Sequence, residues 1–267
     1  SVNPSLLWQK RNVIERRQTE TPEIFSLGLG RSFFSFPSCS PATGTSPAGP
    51  APLPPPPSPM ASLYHEKQVS LLCGVHALNT LLQGPYFLAA DLGAIAQEFD
   101  ERERALMREA GVESADFLRY MAEDSGNAAA DGNFSIQVLT KAVEVWNLTC
   151  IPATSQAAGR AWQEPQREAA FLCNLDQHWF TVRRCATASP TVHATGGCWW
   201  NFNSMFPAPQ PISELYLGEF LAQLRQEGYS IFVVRGALPA VGGNGMAGRG
   251  GEFGRWVAAE EAAAANK

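Results

Sequence analysis

Two hydrophobic periodicities divide the middle of the chain. Apolar residues first recur at helical spacing. Residues 73–82 (CGVHALNTLL) form one such stretch, stopped by Gly84 and Pro85. Residues 91–99 and their continuation 101–110 form another, charged on the outside and ended by Gly111. A third, 114–123, opens on a capping serine, Ser114, and a fourth starts at Ser135 with Ile136, Leu139, Val143 and Trp146 on one face. The pattern then changes to period two and short apolar runs at 148–151, 169–175, 178–182, 199–202 and 229–234, which read as strands. One further helix, 213–226, interrupts them and ends at Gly228. Helices first and strands afterwards predict an α+β fold, with N-terminal helices packed on an antiparallel sheet.

The flanks carry neither period. Nine of the residues from Pro41 to Pro59 are proline, ending in PPPPSP, so residues 1–59 are expected to be a disordered Pro/Ser-rich leader of polyproline II character. Upstream, Arg11, Arg16, Arg17 and Arg31 with several serines resemble a presequence, a pattern that Glu15, Glu20 and Glu23 spoil. Met60 is the expected start of the natural domain, and a non-native leader is the alternative. A single globular domain is predicted over 60–238. Residues 239–267, rich in glycine and then alanine, are expected to be a tail that turns helical near 258–265.

With 45% hydrophobic residues the chain can bury a core of useful size. A net charge of -5 argues against nucleic acid as the main partner, because phosphate binding needs a basic surface. No apolar run approaches the roughly 18 residues of a membrane span. Six cysteines, spread from Cys39 to Cys198 without a CxxC pair, read as reduced thiols rather than a disulfide framework.

Only four histidines exist, so any imidazole-dependent chemistry must choose among His65, His76, His178 and His193. Cys73 is predicted in the first turn of a helix, where unpaired N–H groups and the helix dipole favour a thiolate. Cys150 and Cys173 read as small buried hydrophobes. His178 opens the strand HWFTV after the polar turn Asp176-Gln177, a place from which an imidazole can reach a helix N-terminus packed on the sheet. Asn203, at the far end of the strand WNFN, could orient that ring, although Asn201 lies on the same face by alternation. Cys, His and Asn in this chain order is the papain-like arrangement. Gln68, five residues before Cys73, could supply an oxyanion donor beside the Cys73 amide. Spacing alone leaves an ordinary polar loop residue equally open.

The blocks HEKQ (65–68), Cys73 with HALNTLLQGPYF (76–87), FSIQV (134–138), FLCNLDQHWFTVR (171–183), WNFNS (200–204) and FLAQLRQEGYSIFVV (220–234) resemble the Josephin family, its ataxin type in particular, over about 63–238. The resemblance implies a papain-like cysteine protease fold and cleavage of ubiquitin from lysine side chains and within polyubiquitin. It implies Cys73 as nucleophile, His178 as general base, Asn203 as the residue orienting it and Gln68 as oxyanion donor. His76 also matches a family position and is assigned to packing or hydrogen bonding near the site. Ubiquitin and polyubiquitin are the expected partners of a monomer in the nucleus or cytoplasm, with no membrane, metal or organic cofactor involved. The helical stretch 91–123 is the expected arm over ubiquitin, and Trp179 and Trp200 are either walls of the substrate approach or core.

Two segments depart from the family. Residues 184–198 lengthen the connection between the histidine and asparagine strands, and their Cys185, His193 and Cys198 fit no common zinc spacing. The ending AAEEAAAANK lacks the serine of a ubiquitin-interacting helix. A non-catalytic ubiquitin-binding module and an unrelated thiol hydrolase are the rival readings.

Overall fold

A computed structural model describes residues 62–109, 111–122, 125–129, 132–185, 199–242 and 254–265. The expected leader, His193 and Cys198 lie outside the described residues. In chain order the elements are β1 (Ser62–Glu66), α1 (Cys73–Leu82), α2 (Ala89–Glu109), α3 (Ala115–Ala122), α4 (Ile136–Glu144), β2 (Thr149–Pro152), β3 (Ala170–Leu175), β4 (His178–Arg184), β5 (Trp199–Phe202), β6 (Gln210–Ile212), α5 (Leu217–Gln226), β7 (Ser230–Arg235), β8 (Gly254–Ala258) and α6 (Ala259–Ala264).

Six strands pair antiparallel in the order β2-β7-β3-β4-β5-β6, which makes the fold α+β as the pattern predicts. Period-two alternation sorts the side chains of β3 between two cores. Ala170 and Leu172 face one core with Trp179 and Val234, beneath Leu78 and Leu81 of α1 and Leu139 and Val143 of α4. Phe171 and Cys173 face the other with Phe180, Val182 and Val233, covered by Leu217, Leu221 and Leu224 of α5. Thr181 reaches across the first layer, its Oγ1 donating to the Ala77 carbonyl at 2.7 Å, and so ties α1 to β4. Both ends of the future site are thereby fixed to one rigid pair.

Serine caps behave as read: Ser114 Oγ accepts from Phe117 N–H at 3.1 Å and Ser135 Oγ from Val138 N–H at 3.4 Å. The stretches 91–99 and 101–110 fuse into one helix, α2. Only Leu92, Ile95 and Ala96 of it are buried, so its C-terminal half projects as an arm. The left-handed cap of α1 is Gln83 (φ 59°) rather than Gly84. Its carboxamide explains this choice by pairing with the backbone N–H and carbonyl of Tyr64, as a neighbouring strand would.

The expected tail is the main correction. Within 239–267, β8 pairs antiparallel with all of β1, from Ser62↔Ala258 to Glu66↔Gly254. Ala259 and Ala262 of α6 join Leu63, Trp200 and Phe202 in a third apolar cluster. The globular unit therefore extends past 238, because β1 needs a partner strand and glycine-rich flanks hid one. Trp179 and Trp200 are 4% and 0% exposed and pack into the core, Trp179 keeping one edge on a groove beside the β3–β4 turn. Among the described residues no helix is long and apolar enough to cross a membrane, and no cluster of metal-ligating side chains forms.

Candidate active site

Cys73 is the first residue of α1, as expected, and follows Leu72, whose side chain cannot cap the helix. Leu72 thus gives the first turn no side-chain cap, and the positive end of the helix dipole lies at the sulfur. The thiol is 1% exposed, and its Sγ donates to the Gln177 carbonyl at 3.2 Å. That carbonyl belongs to the two-residue turn between β3 and β4, closed by the pair Leu175↔His178. Asp176 in this turn adopts the left-handed conformation (φ 51°), which a tight hairpin of right-twisted strands requires. Folding of the hairpin therefore brings the residue preceding His178 onto the sulfur.

His178 stacks on Phe180 with ring centroids 6.2 Å apart, and its Nε2 lies 2.8 Å from Asn203 Oδ1. The same Oδ1 accepts from the Met205 backbone N–H at 3.0 Å. An amide N–H can only donate, so this atom must be oxygen and His178 Nε2 must carry the proton facing it. In the neutral ring Nδ1 is left with the lone pair, the state a general base needs. Asn203 lies just past β5, and its own N–H donates to Asn201 Oδ1 at 3.1 Å. The ambiguity between the two asparagines thus resolves: Asn203 meets the imidazole and Asn201 braces Asn203.

Gln68 joins the same corner. Its backbone N–H donates to the Ser204 carbonyl at 2.8 Å, its Oε1 accepts from Ser204 Oγ at 3.0 Å, and its Nε2 donates to the Ser70 carbonyl at 3.1 Å. Ser70 is a second left-handed residue beside the site (φ 55°). His76 turns away from this chemistry. Its Nε2 accepts from Val69 N–H at 3.4 Å, and its Nδ1 therefore donates to Glu66 Oε2 at 2.6 Å. Glu66 Oε1 accepts from Tyr64 Oη at 2.7 Å and Asn79 Nδ2 at 3.0 Å. His76 and Glu66 are 1% and 2% exposed, so they form a buried strut under the segment that presents Gln68.

Other thiols differ in kind. Burial pushes Cys150 up to about 12, an effect that a hydrogen bond to Thr140 only partly opposes, and pushes fully buried Cys173 up as well. The roles of Glu66, Ser204 and the Gln177 carbonyl were not read from the sequence. HEKQ and WNFNS hold two of the three, but a backbone carbonyl has no sequence signature.

Cys73 thus meets the residue before His178, His178 meets Asn203, and Gln68 meets Ser204 beside Asn203. The Josephin family model matches residues 68–235. The chain belongs to the Josephin family. Josephin relatives include ataxin-3 of Homo sapiens, 47% identical over 180 residues, which is 67% of this chain and 47% of that protein. A putative ataxin-3 homolog of Oryza sativa is 43% identical over 205 residues, covering 75% of this chain and 57% of the relative. The ataxin-3 homolog of Arabidopsis thaliana is 42% identical over 205 residues, 75% and 69% of the two chains. This Josephin chain spans about half the length of the animal relatives it matches.

Proposed function

We propose that this chain is a cysteine-type deubiquitinase, hydrolysing the bond to the C-terminal glycine of ubiquitin and of polyubiquitin chains. Cys73 is the nucleophile, His178 the base, Asn203 the residue that orients it, and Gln68 an oxyanion donor. The observation that carries this reading is the 2.8 Å contact of His178 Nε2 with an Asn203 oxygen whose identity Met205 N–H defines, because it leaves Nδ1 as the basic nitrogen.

The thiol proton leaves the Gln177 carbonyl for His178 Nδ1 as the sulfur attacks the glycine carbonyl. The oxyanion is received by the Cys73 backbone N–H and the Gln68 carboxamide. His178 then gives the proton to the departing lysine amine, leaving a thioester. Water, deprotonated by the same ring, releases the ubiquitin carboxylate and restores the thiol. None of these steps calls on a metal or organic cofactor.

A groove of about 260 Å³ runs beside the hairpin and is lined by Phe134, Ile136, Asn174, Asp176, Trp179 and Phe232. Asp176 and Trp179 flank His178, so an extended Gly-Gly terminus can approach from this side. The projecting half of α2 with α3 exposes Leu106, Leu118 and Met121, which suits an arm laid over the ubiquitin surface. Action as a monomer in the nucleus or cytoplasm belongs to the same proposal.

The test is turnover of a fluorogenic C-terminal amide of ubiquitin. Wild type is expected to release the fluorophore, Cys73→Ala to be inert, and His178→Ala to lose most activity. An inert wild type that still binds ubiquitin would make the domain a binding module. A preference for small amides over ubiquitin would make it another thiol hydrolase.

A further inference from the structure

We infer that Ser204 is a positioning residue that holds the Gln68 carboxamide in its donating orientation, so that the adjacent residues Asn203 and Ser204 govern the base and the oxyanion donor together. The inference rests on the reading of Gln68 as that donor.

A carboxamide presents a donor at one end and an acceptor at the other, and the two ends have nearly the same shape. Facing the substrate oxygen with Nε2 stabilises developing negative charge; facing it with Oε1 repels that charge. The orientation must therefore be held from behind. Two contacts hold it here. The Ser70 carbonyl can only accept, so it requires Nε2 on its side, and the Ser204 hydroxyl donates to Oε1 on the other. One hydrogen of Nε2 is used by Ser70, and the second has no acceptor among the described residues, leaving it for the oxyanion.

Ser204 is well placed for this task. It is 2% exposed, so its hydroxyl does not exchange partners with bulk water. Its carbonyl simultaneously receives the Gln68 backbone N–H at 2.8 Å, which pins both the main chain and the side chain of Gln68 to one residue. Two residues further on, the Phe206 carbonyl lies 2.9 Å from His65 Nε2, so the segment from His65 to Gln68 is docked on the loop carrying Asn203 at three points. Asn203 faces His178 and Ser204 faces Gln68. A shift of this loop moves both halves of the machinery at once.

Removing an oxyanion donor outright lowers kcat by about 10²–10³. Freeing it to rotate is a partial loss, expected at about tenfold. The experiment measures kcat and KM on the fluorogenic ubiquitin amide for wild type, Ser204→Ala, Ser204→Thr, Gln68→Ala and the double variant Ser204→Ala/Gln68→Ala. It also measures the rate at which iodoacetamide alkylates Cys73, a displacement that forms no oxyanion. Ser204→Ala is expected to lower kcat about tenfold with KM within twofold and the alkylation rate unchanged. Ser204→Thr, which keeps the hydroxyl, should recover most of kcat. In the Gln68→Ala background the serine change should have no further effect.

Wild-type kcat in Ser204→Ala would overturn the inference. So would an equal loss in the Gln68→Ala background, or a parallel fall in alkylation, which would mark a general disturbance of the site. Absence of Cys73-dependent turnover in wild type would overturn the parent reading and this inference with it.

Discussion

Glu66→Gln replaces a buried carboxylate by a group of the same shape, and the hydrogen bonds around it admit no rearrangement that satisfies every partner. Three donors converge on Glu66: Tyr64 Oη, Asn79 Nδ2 and His76 Nδ1. If the new amide nitrogen faces His76, the ring must present a bare Nδ1 and carry its proton on Nε2, where it meets the Val69 N–H that Nε2 now accepts. If the nitrogen faces the other side, the tyrosine hydroxyl can rotate to accept, but Asn79 Nδ2 cannot. Asn79 cannot flip either, because its Oδ1 receives the N–H groups of Tyr86 and Phe87 at 3.0 and 2.8 Å. At least one buried donor is left unpaired in each case, a penalty of about 1–3 kcal/mol.

Urea unfolding followed by tryptophan fluorescence measures this as a fall in midpoint at constant m. Glu66→Ala, which deprives all three donors, should be the more destabilising. Because the strut sits under the Gln68 segment, Glu66→Gln should also lower kcat on the ubiquitin amide. A stability change below about 0.5 kcal/mol, the range of an uncommitted surface site, would refute the network as drawn.

Burial holds His65 down to about 4 from 6.5, opposed by its bond to the Phe206 carbonyl. Its folded pKa is the lower one, so the unfolded chain binds more protons between these values, and stability rises with pH across that window and is lost as pH falls towards 4. The contribution, present above about pH 6.5, is about 3 kcal/mol, and His65→Gln should flatten that part of the stability–pH curve. An unchanged slope would count against it. Asn203→Ala should lower kcat by about 10–100-fold with little change in KM, since it frees the ring without touching substrate contacts; an equal rise in KM would argue for a binding role. Trp256 is 9% exposed and packs edge-on against Tyr64 at a centroid distance of 5.3 Å. Trp256→Ala should therefore destabilise by about 3 kcal/mol, whereas a residue in a loose tail would tolerate the change.

Elements with a strong period were legible in the sequence and the others were not. The strand at Trp199–Phe202 and the helix at Cys73–Leu82 match the pattern residue for residue, because each buries a continuous apolar row. By contrast β1 (SLYHE) carries Tyr64, His65 and Glu66, whose burial depends on partners from α1, the Phe206 carbonyl and β8. A strand stabilised by distant polar contacts has no local signature. The strand β8 lies after a glycine-rich run, and only its pairing with β1 defines it. At the site, Cys73, His178, Asn203 and Gln68 were singled out from the order of residue types and a family resemblance. The choice of Asn203 over Asn201 needed the register past β5, and the supporting Ser204 needed three-dimensional contact. His76 shows the limit from the other side: it lies three residues from the nucleophile on one helix, yet its bonds run to Glu66 and Val69.

The proposed chemistry requires one sulfur, that of Cys73, to be the atom that receives the ubiquitin carbonyl. The direct measurement is the reaction of the full chain with ubiquitin carrying a C-terminal electrophile, followed by mass mapping of the adduct. One ubiquitin should attach per chain, at Cys73, with no adduct in Cys73→Ala and a slower reaction in His178→Ala. An adduct on any other cysteine, or undiminished labelling without the imidazole, would contradict it.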